Sequence, residues 1–213
     1  MDLCLVGSEM CIRDRSSLDI VPSYLDFIVA SNKVSRPFKL VIDGCNSVCG
    51  PLAVALFQRL GCTVDPLYCS IDGNFPNHDP NPSEQKNLQP LIRQVKSTRA
   101  DLGLAFDGDG DRLVVVSQHG EIVWPDRLMM IFAQNLLVER PGSTVVFDIK
   151  SSKRLGELIK QHSGVPVMCK TGHSHIRKAV RNNNALLGGE FSGHIFMSLI
   201  HNSEPTRHRS ISY

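Results

Sequence analysis

Three aspartates separated by single glycines form the most distinctive chemical pattern in the chain, because residues 106–112 read Phe-Asp-Gly-Asp-Gly-Asp-Arg. In a continued strand the three carboxylates would share one face and repel one another. The glycines let the backbone curl, so that oxygens of Asp107, Asp109 and Asp111 can converge on one cation. Hard oxygen ligands suit Mg²⁺, which usually shares its site with a phosphate. Together with Arg112, a divalent ion would neutralise the three acids, and the pattern therefore predicts a Mg²⁺ site that is ready to accept a phosphate.

This acidic loop has two other interpretations. A calcium-binding EF-hand loop also spaces acids by two residues, but it needs Gly at its sixth position and Glu at its twelfth. Here those positions carry Arg112 and Gln118. A simple acidic turn is the plainer alternative. It is disfavoured because a turn does not need three acids where their mutual repulsion is greatest.

A second polar pattern lies at residues 188–194, Gly-Gly-Glu-Phe-Ser-Gly-His, between two apolar segments. Glu190 can accept hydrogen bonds from two sugar hydroxyls, Ser192 can donate or accept one, and the glycines allow close approach. His194 is the side chain best suited to proton transfer near neutral pH. Glycine-rich turns with one acid and one histidine are common, so the pattern alone indicates only a turn that could bind a sugar.

Two further segments are weaker candidates for the site. Residues 170–174, Lys-Thr-Gly-His-Ser, are either an anion-binding helix N-terminus or an ordinary helix cap. Lys150 follows Asp148 at the end of a predicted strand, where ligands of α/β proteins usually bind. A lone lysine at such a place is more often solvated than catalytic.

The elements that must position these residues alternate between short apolar runs and amphipathic stretches of helical length. Up to about Gly120 the pattern predicts a mostly parallel sheet covered by helices. Its strands are expected at residues 39–43, 63–67, 101–106 and 113–117, and its helices at residues 52–60 and 83–98. The rhythm then restarts, with helices expected at residues 125–138, 151–162 and 173–182, and strands at residues 144–148, 165–169, 185–188 and from 195. The chain is thus predicted to be an α/β protein of two similar units.

Composition limits the classes of partner. The 213 residues carry a net charge of +2, which gives no reason to expect nucleic acid or a membrane surface as partner. No apolar run approaches the roughly 20 residues of a membrane helix. The seven cysteines are an odd number in a chain that is not small, which favours a reducing cytoplasm over a disulfide framework. Cys45 and Cys49 could be half of a metal site, but small buried fillers are the favoured interpretation.

Both ends of the chain differ from its body. Residues 1–15 and 198–213 are polar and aperiodic, and they are interpreted as foreign or flexible termini. The expected organisation is a first domain at residues 16–120, which contains the acidic loop, and a second, shortened domain at residues 121–197.

Taken together, the motifs resemble the α-D-phosphohexomutase family, in its bacterial phosphomannomutase/phosphoglucomutase type. Five segments carry this resemblance in order, at residues 72–78, 100–112, 125–128, 170–174 and 189–194. The resemblance covers about residues 16–197. It implies two similar α/β domains with mixed or parallel sheets, equivalent to the second domain of the family and to a truncated third domain.

The resemblance also implies an enzyme that interconverts hexose 1-phosphates and hexose 6-phosphates through a phosphoserine and a bisphosphate intermediate. Glucose and mannose phosphates are the implied partners and Mg²⁺ is the implied cofactor. The implied metal ligands are Asp107, Asp109 and Asp111. Arg112 would stabilise the phosphate, and Glu190 and Ser192 would hold sugar hydroxyls. The implied active-site cations or proton-transfer groups are Lys150, His173 and His194.

The 213 residues depart from the family pattern in two places that matter for activity. Neither the phosphoserine motif Thr-Ala-Ser-His-Asn-Pro nor the phosphate-binding loop Arg-x-Ser-Gly-Thr-Glu-Pro is present. The chain by itself is therefore expected to be inactive, and a non-catalytic metal- or sugar-phosphate-binding module is the alternative function. Phe191 stands where phosphoglucosamine mutases typically have Gln, which implies a preference for simple hexose phosphates.

Overall fold

The computed structural model describes residues 18–197. The predicted foreign termini, residues 1–15 and 198–213, lie outside the described residues. The chain divides into two units after Lys33. The first unit contributes helix α1 (Val21–Ser31), which has a proline in its first turn. All other described helices and strands belong to the unit that begins at Val34.

The first sheet is mixed, with strand order β2-β1-β3-β4-β5. Its elements are β1 (Lys39–Asp43), α2 (Cys49–Arg59), β2 (Thr63–Leu67), α3 (Gln89–Thr98), β3 (Leu102–Phe106), β4 (Leu113–Ser117) and β5 (Ile122–Val123). Strand β1 pairs in parallel with β2 and β3, while β4 is antiparallel to both β3 and β5. A parallel connection needs about a dozen residues or more. The loop at residues 107–112 is too short for that, so β4 must turn back.

The second sheet repeats this arrangement, with strand order β7-β6-β8-β9. Its elements are α4 (Pro125–Glu139), β6 (Thr144–Asp148), α5 (Lys153–Gln161), β7 (Val165–Cys169), α6 (His173–Asn182), β8 (Leu187–Gly189) and β9 (Ile195–Met197). Strand β6 is parallel to β7 and β8, and β9 is antiparallel to β8. The prediction of two similar α/β units, one built on each sheet, is confirmed. The first sheet was expected to be mostly parallel, but two of its four strand pairings are antiparallel.

The helix predicted at residues 83–98 is the clearest misplaced boundary. The structure begins this helix at Gln89, and residues 83–88 form turns. Pro90 explains the difference, because a proline has no N–H to donate and is tolerated only in the first helical turn. The two-residue strand β5 was not predicted, and helix α2 begins one turn earlier than expected.

Buried apolar side chains fill the space between each sheet and its helices. In the first sheet α3 packs on β1 and β3, and in the second sheet α5 and α4 pack together beside β6. Helix α4 also contacts both β4 and β8, and Ile195 packs against the cores of both sheets. These shared contacts fix the loop after β3 relative to the turn after β8.

No helix within residues 18–197 is both long enough and apolar enough to span a membrane.

Candidate functional site

Two loops build the site, and each joins the third and fourth strands of its sheet. The aspartate loop (residues 107–112) connects β3 to β4, and the Glu190 turn (residues 190–194) connects β8 to β9. The amide of Leu113 donates to the carbonyl oxygen of Gly193 over 3.4 Å. A Cβ atom on Gly193 would lie 3.3 Å from the backbone of Leu113 and from Arg112 Cβ, and its φ of +109° disfavours other residues. Direct contact between the loops therefore requires glycine at this position.

The aspartate loop gathers its three acids as the sequence predicts. One carboxylate oxygen from each of Asp107, Asp109 and Asp111 lies within 4.8 Å of the others. Asp109 and Asp111 are exposed, whereas Asp107 is 1% exposed. The backbone N–H of Arg112 donates to Asp107 Oδ1 over 3.2 Å, and its Nε–H donates to Asp107 Oδ2. Burial raises the pKa of Asp107, but these bonds from Arg112 outweigh burial and leave that pKa lowered.

The charge on this loop suits a divalent cation. The pKa of Asp111 is raised, first by partial burial and then by the neighbouring charges of Asp107 and Asp109. Like charges held this close are unfavourable, and a cation bound among them removes the repulsion. Three carboxylates also supply the hard oxygen donors that Mg²⁺ prefers. The residues present therefore fit a Mg²⁺ ion.

The Glu190 turn holds its acid through internal hydrogen bonds. Glu190 is 2% exposed, and its Oε1 accepts a bond of 2.6 Å from the amide of Gly172. Its Oε2 accepts from Ser192 Oγ at 3.1 Å and lies 2.7 Å from His194 Nδ1. Ser192 Oγ is also 2.9 Å from that nitrogen. Both predicted sugar ligands are thus ordered by each other and by His194.

His194 joins the two loops. Its Nδ1 faces Glu190, and its Nε2 lies 3.2 Å from Asp111 Oδ1. The ring of His173, at the start of α6, meets the His194 ring edge-on with 5.7 Å between centroids. The structure therefore brings His173, His194, Glu190 and Asp111 into one cluster, although they come from three separate segments of the chain.

Lys150 is placed differently from the other predicted site residues. It is exposed, and within the described part of the chain its side chain has no hydrogen-bond or ion-pair partner. Its backbone lies between Asp148 and Ser151, and Ser151 Oγ donates a hydrogen bond to Asp148 Oδ1 over 2.7 Å. The position of Lys150 is therefore determined by its neighbours in sequence.

The turn-rich loop between β2 and α3 supplies two contacts that sequence reasoning did not assign. Arg112 Nη1 donates to Asn81 Oδ1 over 3.2 Å, and Ser83 Oγ donates to the carbonyl oxygen of Ser192 over 3.4 Å. This loop therefore contacts both parts of the site. Residues 72–82 are dense in turn residues, which is typical of an ordered loop but does not by itself identify Asn81 as the partner of Arg112.

His78 anchors this loop to the first sheet. Its Nε2 lies 3.1 Å from Oδ2 of the buried Asp43, the last residue of β1, and its Nδ1 lies 2.9 Å from the carbonyl oxygen of Asp79. The hydrogen bond with Asp43 raises the pKa of His78, although burial of the ring acts in the opposite direction. Protonated His78 is therefore the form that the fold favours.

This pair predicts that stability falls as pH rises. A pKa raised in the folded state adds stability that is fully present below the unfolded pKa, about 6.5 for histidine. That stability is lost as pH rises through the higher folded pKa, with a slope of at most about 1.4 kcal/mol per pH unit. We expect the free energy of unfolding, measured with urea between pH 5.5 and 8.5, to fall as pH rises. His78→Gln should abolish the part of this fall that comes from His78. The exposed His119 is the control, and a His119→Gln variant should keep the pH dependence. Equal pH dependence in wild type and His78→Gln would contradict this assignment.

The described cysteines are free thiols, of which Cys45 and Cys62 are buried and Cys49, Cys69 and Cys169 are partly exposed. Burial raises the pKa of both Cys45 and Cys69 to about 11, so these two remain protonated. Cys49 lies under the aspartate loop, where its Cβ would be 2.8 Å from a Cβ placed on Gly110. Among residues 18–197, the side-chain group that could hold a metal is the aspartate trio and includes none of the cysteines.

Comparison with known proteins gives consistent matches to one family. The family model "Phosphoglucomutase/phosphomannomutase, alpha/beta/alpha domain II" matches residues 22–120, and the model for domain III of the same family matches residues 124–204. A phosphomannomutase/phosphoglucomutase of Pseudomonas aeruginosa is 50% identical over 179 residues, which are 84% of this chain and 39% of that protein. A phosphoglucomutase of Neisseria gonorrhoeae is 49% identical over 178 residues, again 84% and 39% of the two chains. This chain therefore spans well under half the length of these relatives.

Solved structures show the same likeness. A phosphoglucomutase/phosphomannomutase family protein of Burkholderia thailandensis superposes with a TM-score of 0.83 at 45% identity, covering 86% of this chain and 40% of the other. An N-acetylphosphoglucosamine mutase of Aspergillus fumigatus, solved with GlcNAc-6P and magnesium, gives a TM-score of 0.59 at 18% identity, covering 87% and 42%. The second likeness shows a shared fold only.

Proposed function

Because the chain belongs to the phosphoglucomutase/phosphomannomutase family, we propose that it forms the part of a hexose phosphate mutase that holds the metal ion and recognises the sugar. The observation that carries this proposal is the position of His194 between Asp111 and Glu190. His194 thereby joins Glu190, the proposed sugar ligand, to Asp111, a proposed metal ligand. A mutase needs both, because its substrate carries a sugar and a phosphate.

The aspartate loop is the proposed Mg²⁺ site, with Asp107, Asp109 and Asp111 as ligands. The bound ion would supply positive charge to the oxygens of the phosphoryl group that is transferred. Arg112 is the proposed second cation. Its Nε and Nη1 groups are engaged by Asp107 and Asn81, which leaves Nη2 to donate to a phosphate oxygen.

The Glu190 turn is the proposed sugar site. Ser192 Oγ is within hydrogen-bond distance of both Glu190 and His194, so rotation of this one side chain frees one acceptor position on Glu190 Oε2 for a sugar hydroxyl. His194 has a carboxylate beside each ring nitrogen and can hold a proton at either one. With His173 beside it, His194 is the proposed proton-transfer group, and the exposed Lys150 is a proposed cation for the substrate phosphate.

Simple hexose phosphates are the proposed substrates. Phe191 lies between the two proposed sugar ligands in the sequence, and its ring stacks on Trp124 at a centroid distance of 6.2 Å. Glu190 and Ser192 would then bind hydroxyls that glucose and mannose share, so inversion at C2 should matter little.

A chimera tests this function. Residues 22–197 replace the matched segment of the Pseudomonas aeruginosa relative, and conversion of glucose 1-phosphate to glucose 6-phosphate is assayed with Mg²⁺ and glucose 1,6-bisphosphate. We expect the chimera to turn over. We expect the 213-residue chain by itself to be inactive, since it carries no phosphoserine motif to donate a phosphoryl group.

The Pseudomonas protein is the positive control for the assay. A chimera that folds and binds Mg²⁺ but does not turn over would favour the non-catalytic binding module instead. A clear preference for glucosamine phosphate over glucose and mannose phosphates would contradict the proposed substrate class.

A further inference from the structure

Asp148 is a fully buried carboxylate that receives three hydrogen bonds from separate segments. It is the last residue of β6, and 0% of its surface is exposed. Its Oδ1 accepts from Ser151 Oγ at 2.7 Å and from the amide of Phe191 at 3.2 Å. Its Oδ2 accepts from Thr171 Oγ1 at 3.0 Å. One side chain thus bonds two hydroxyl groups and one backbone amide around it.

Each of the three residues that carry these groups lies close in sequence to a residue of the proposed site. Ser151 follows Lys150, and Thr171 lies two residues before His173. Phe191 lies between Glu190 and Ser192. The loop at Thr171 is also tied to the Glu190 turn, because the Gly172 amide donates to Glu190 Oε1. The carboxylate therefore lies where the loops that carry the sugar-site residues meet.

We propose that Asp148 is a positioning residue that sets the geometry of the sugar site by holding these three loops together. The inference rests on the proposed function in so far as these loops bind the sugar. Asp148 is buried, and its contacts are with the protein, so it acts through the residues that it holds and not on the substrate.

The first sheet contains an equivalent arrangement. Asp43 is the last residue of β1, which is paired on both sides with parallel strands as β6 is. It is also buried, it accepts from the amide of Cys45 at 3.0 Å, and it contacts His78. The loop that His78 anchors reaches Arg112 through Asn81. Each sheet thus has a buried aspartate at the carboxyl end of a central strand, where it holds the loops of its own half of the site.

The hydrogen-bond pattern indicates which substitutions should matter. Asn at position 148 can keep its oxygen toward Ser151 and Phe191 and can direct its amide toward Thr171, whose hydroxyl is able to accept. Ala offers no acceptor, so all three bonds are lost and three donors are left without their partner. Asp148→Asn should therefore keep the three loops in place, whereas Asp148→Ala should leave them free to move.

The experiment measures amide hydrogen exchange by NMR in the 213-residue chain and its variants. In Asp148→Ala we expect the amides of Phe191 and Gly172 to exchange at least about tenfold faster, relative to core amides of β6, because their local bonds no longer hold. Asp148→Asn should stay close to wild type. The control is Asp126→Ala. Buried Asp126 accepts a hydrogen bond from the Ser152 amide, so its substitution should destabilise the fold without a selective loss of exchange protection at Phe191 and Gly172.

Unchanged relative exchange at Phe191 and Gly172 in Asp148→Ala would overturn the proposal, and so would an Asn variant that loses as much protection as Ala. If Asp148→Ala does not fold, Thr171→Val removes one of the three bonds and should accelerate exchange at Gly172. An unchanged rate there would equally overturn the proposal. Glucose 1-phosphate titrated into the wild-type chain separates the two questions. Absence of shifts in the Glu190 turn would count against the proposed function and would leave the exchange result standing.

Discussion

Arg112→Lys in the active chimera is expected to lower kcat by about 10²–10³-fold, the cost of removing one preorganised group that stabilises transition-state charge. Lysine keeps the positive charge but presents a single ammonium in place of a planar fork. Its three N–H donors share one nitrogen, so lysine cannot reproduce the separate positions of Nε, Nη1 and Nη2 toward Asp107, Asn81 and a phosphate oxygen. The loss should therefore appear mainly in kcat, because the interaction matters most when charge develops on the phosphoryl group.

The matched control is Arg93→Lys, at an exposed position on α3. It makes the same chemical change outside the aspartate loop, and it should leave kcat unchanged. Thermal unfolding of both variants shows whether the buried Asp107 tolerates lysine as its partner. A folded Arg112→Lys chimera with the kcat of the parent would refute the role assigned to Arg112.

Asp109→Asn is expected to weaken Mg²⁺ binding to the 213-residue chain more than about tenfold. Loss of a residue that only supports a ligand typically costs about 10–100-fold in metal affinity, and loss of a ligand should cost at least as much. Asp109 is the clearest choice among the three acids. Asp107 is buried and bonded to Arg112, and Asp111 contacts His194, whereas Asp109 is exposed, so its substitution should leave the fold intact.

Isothermal titration calorimetry with MgCl₂ provides the measurement, and binding by the wild-type chain should itself be weak because no substrate phosphate is present to complete the coordination. Glu157→Gln, at an exposed position on α5, removes the same charge and should not change the affinity. Equal Mg²⁺ affinity in wild type and Asp109→Asn would show that the aspartate loop is not the metal site.

The regular elements could be predicted because their signals are local. The strands at residues 39–43, 63–67 and 144–148, and the helix at residues 173–182, match the structure in both bounds. Alternation and helical spacing are set by neighbouring residues, so they can be recognised without knowledge of the fold. The helix that ends at Thr98 was predicted to begin too early, because two local signals compete at its start. Ser83 and Glu84 are typical of a helix start, but Pro90 excludes a helical interior and moves the first turn to Gln89.

Within the site, the sequence predicted which groups are present but not how they are connected. The convergence of Asp107, Asp109 and Asp111 follows from glycines adjacent to them, and it was predicted correctly. The bond between Arg112 and Asn81 and the central position of Asp148 were not predicted, since each joins segments that the topology brings together.

The sequence by itself determined the two α/β units, the acidic loop at the end of β3 and the polar turn after β8, because all of these depend on residues within a few positions of one another. Only the tertiary structure decided that His194 would lie between Glu190 and Asp111. The physical reason is that this placement depends on how α4 and Ile195 pack against both sheets. Such packing is a property of the assembled core, which no local pattern of residue types specifies.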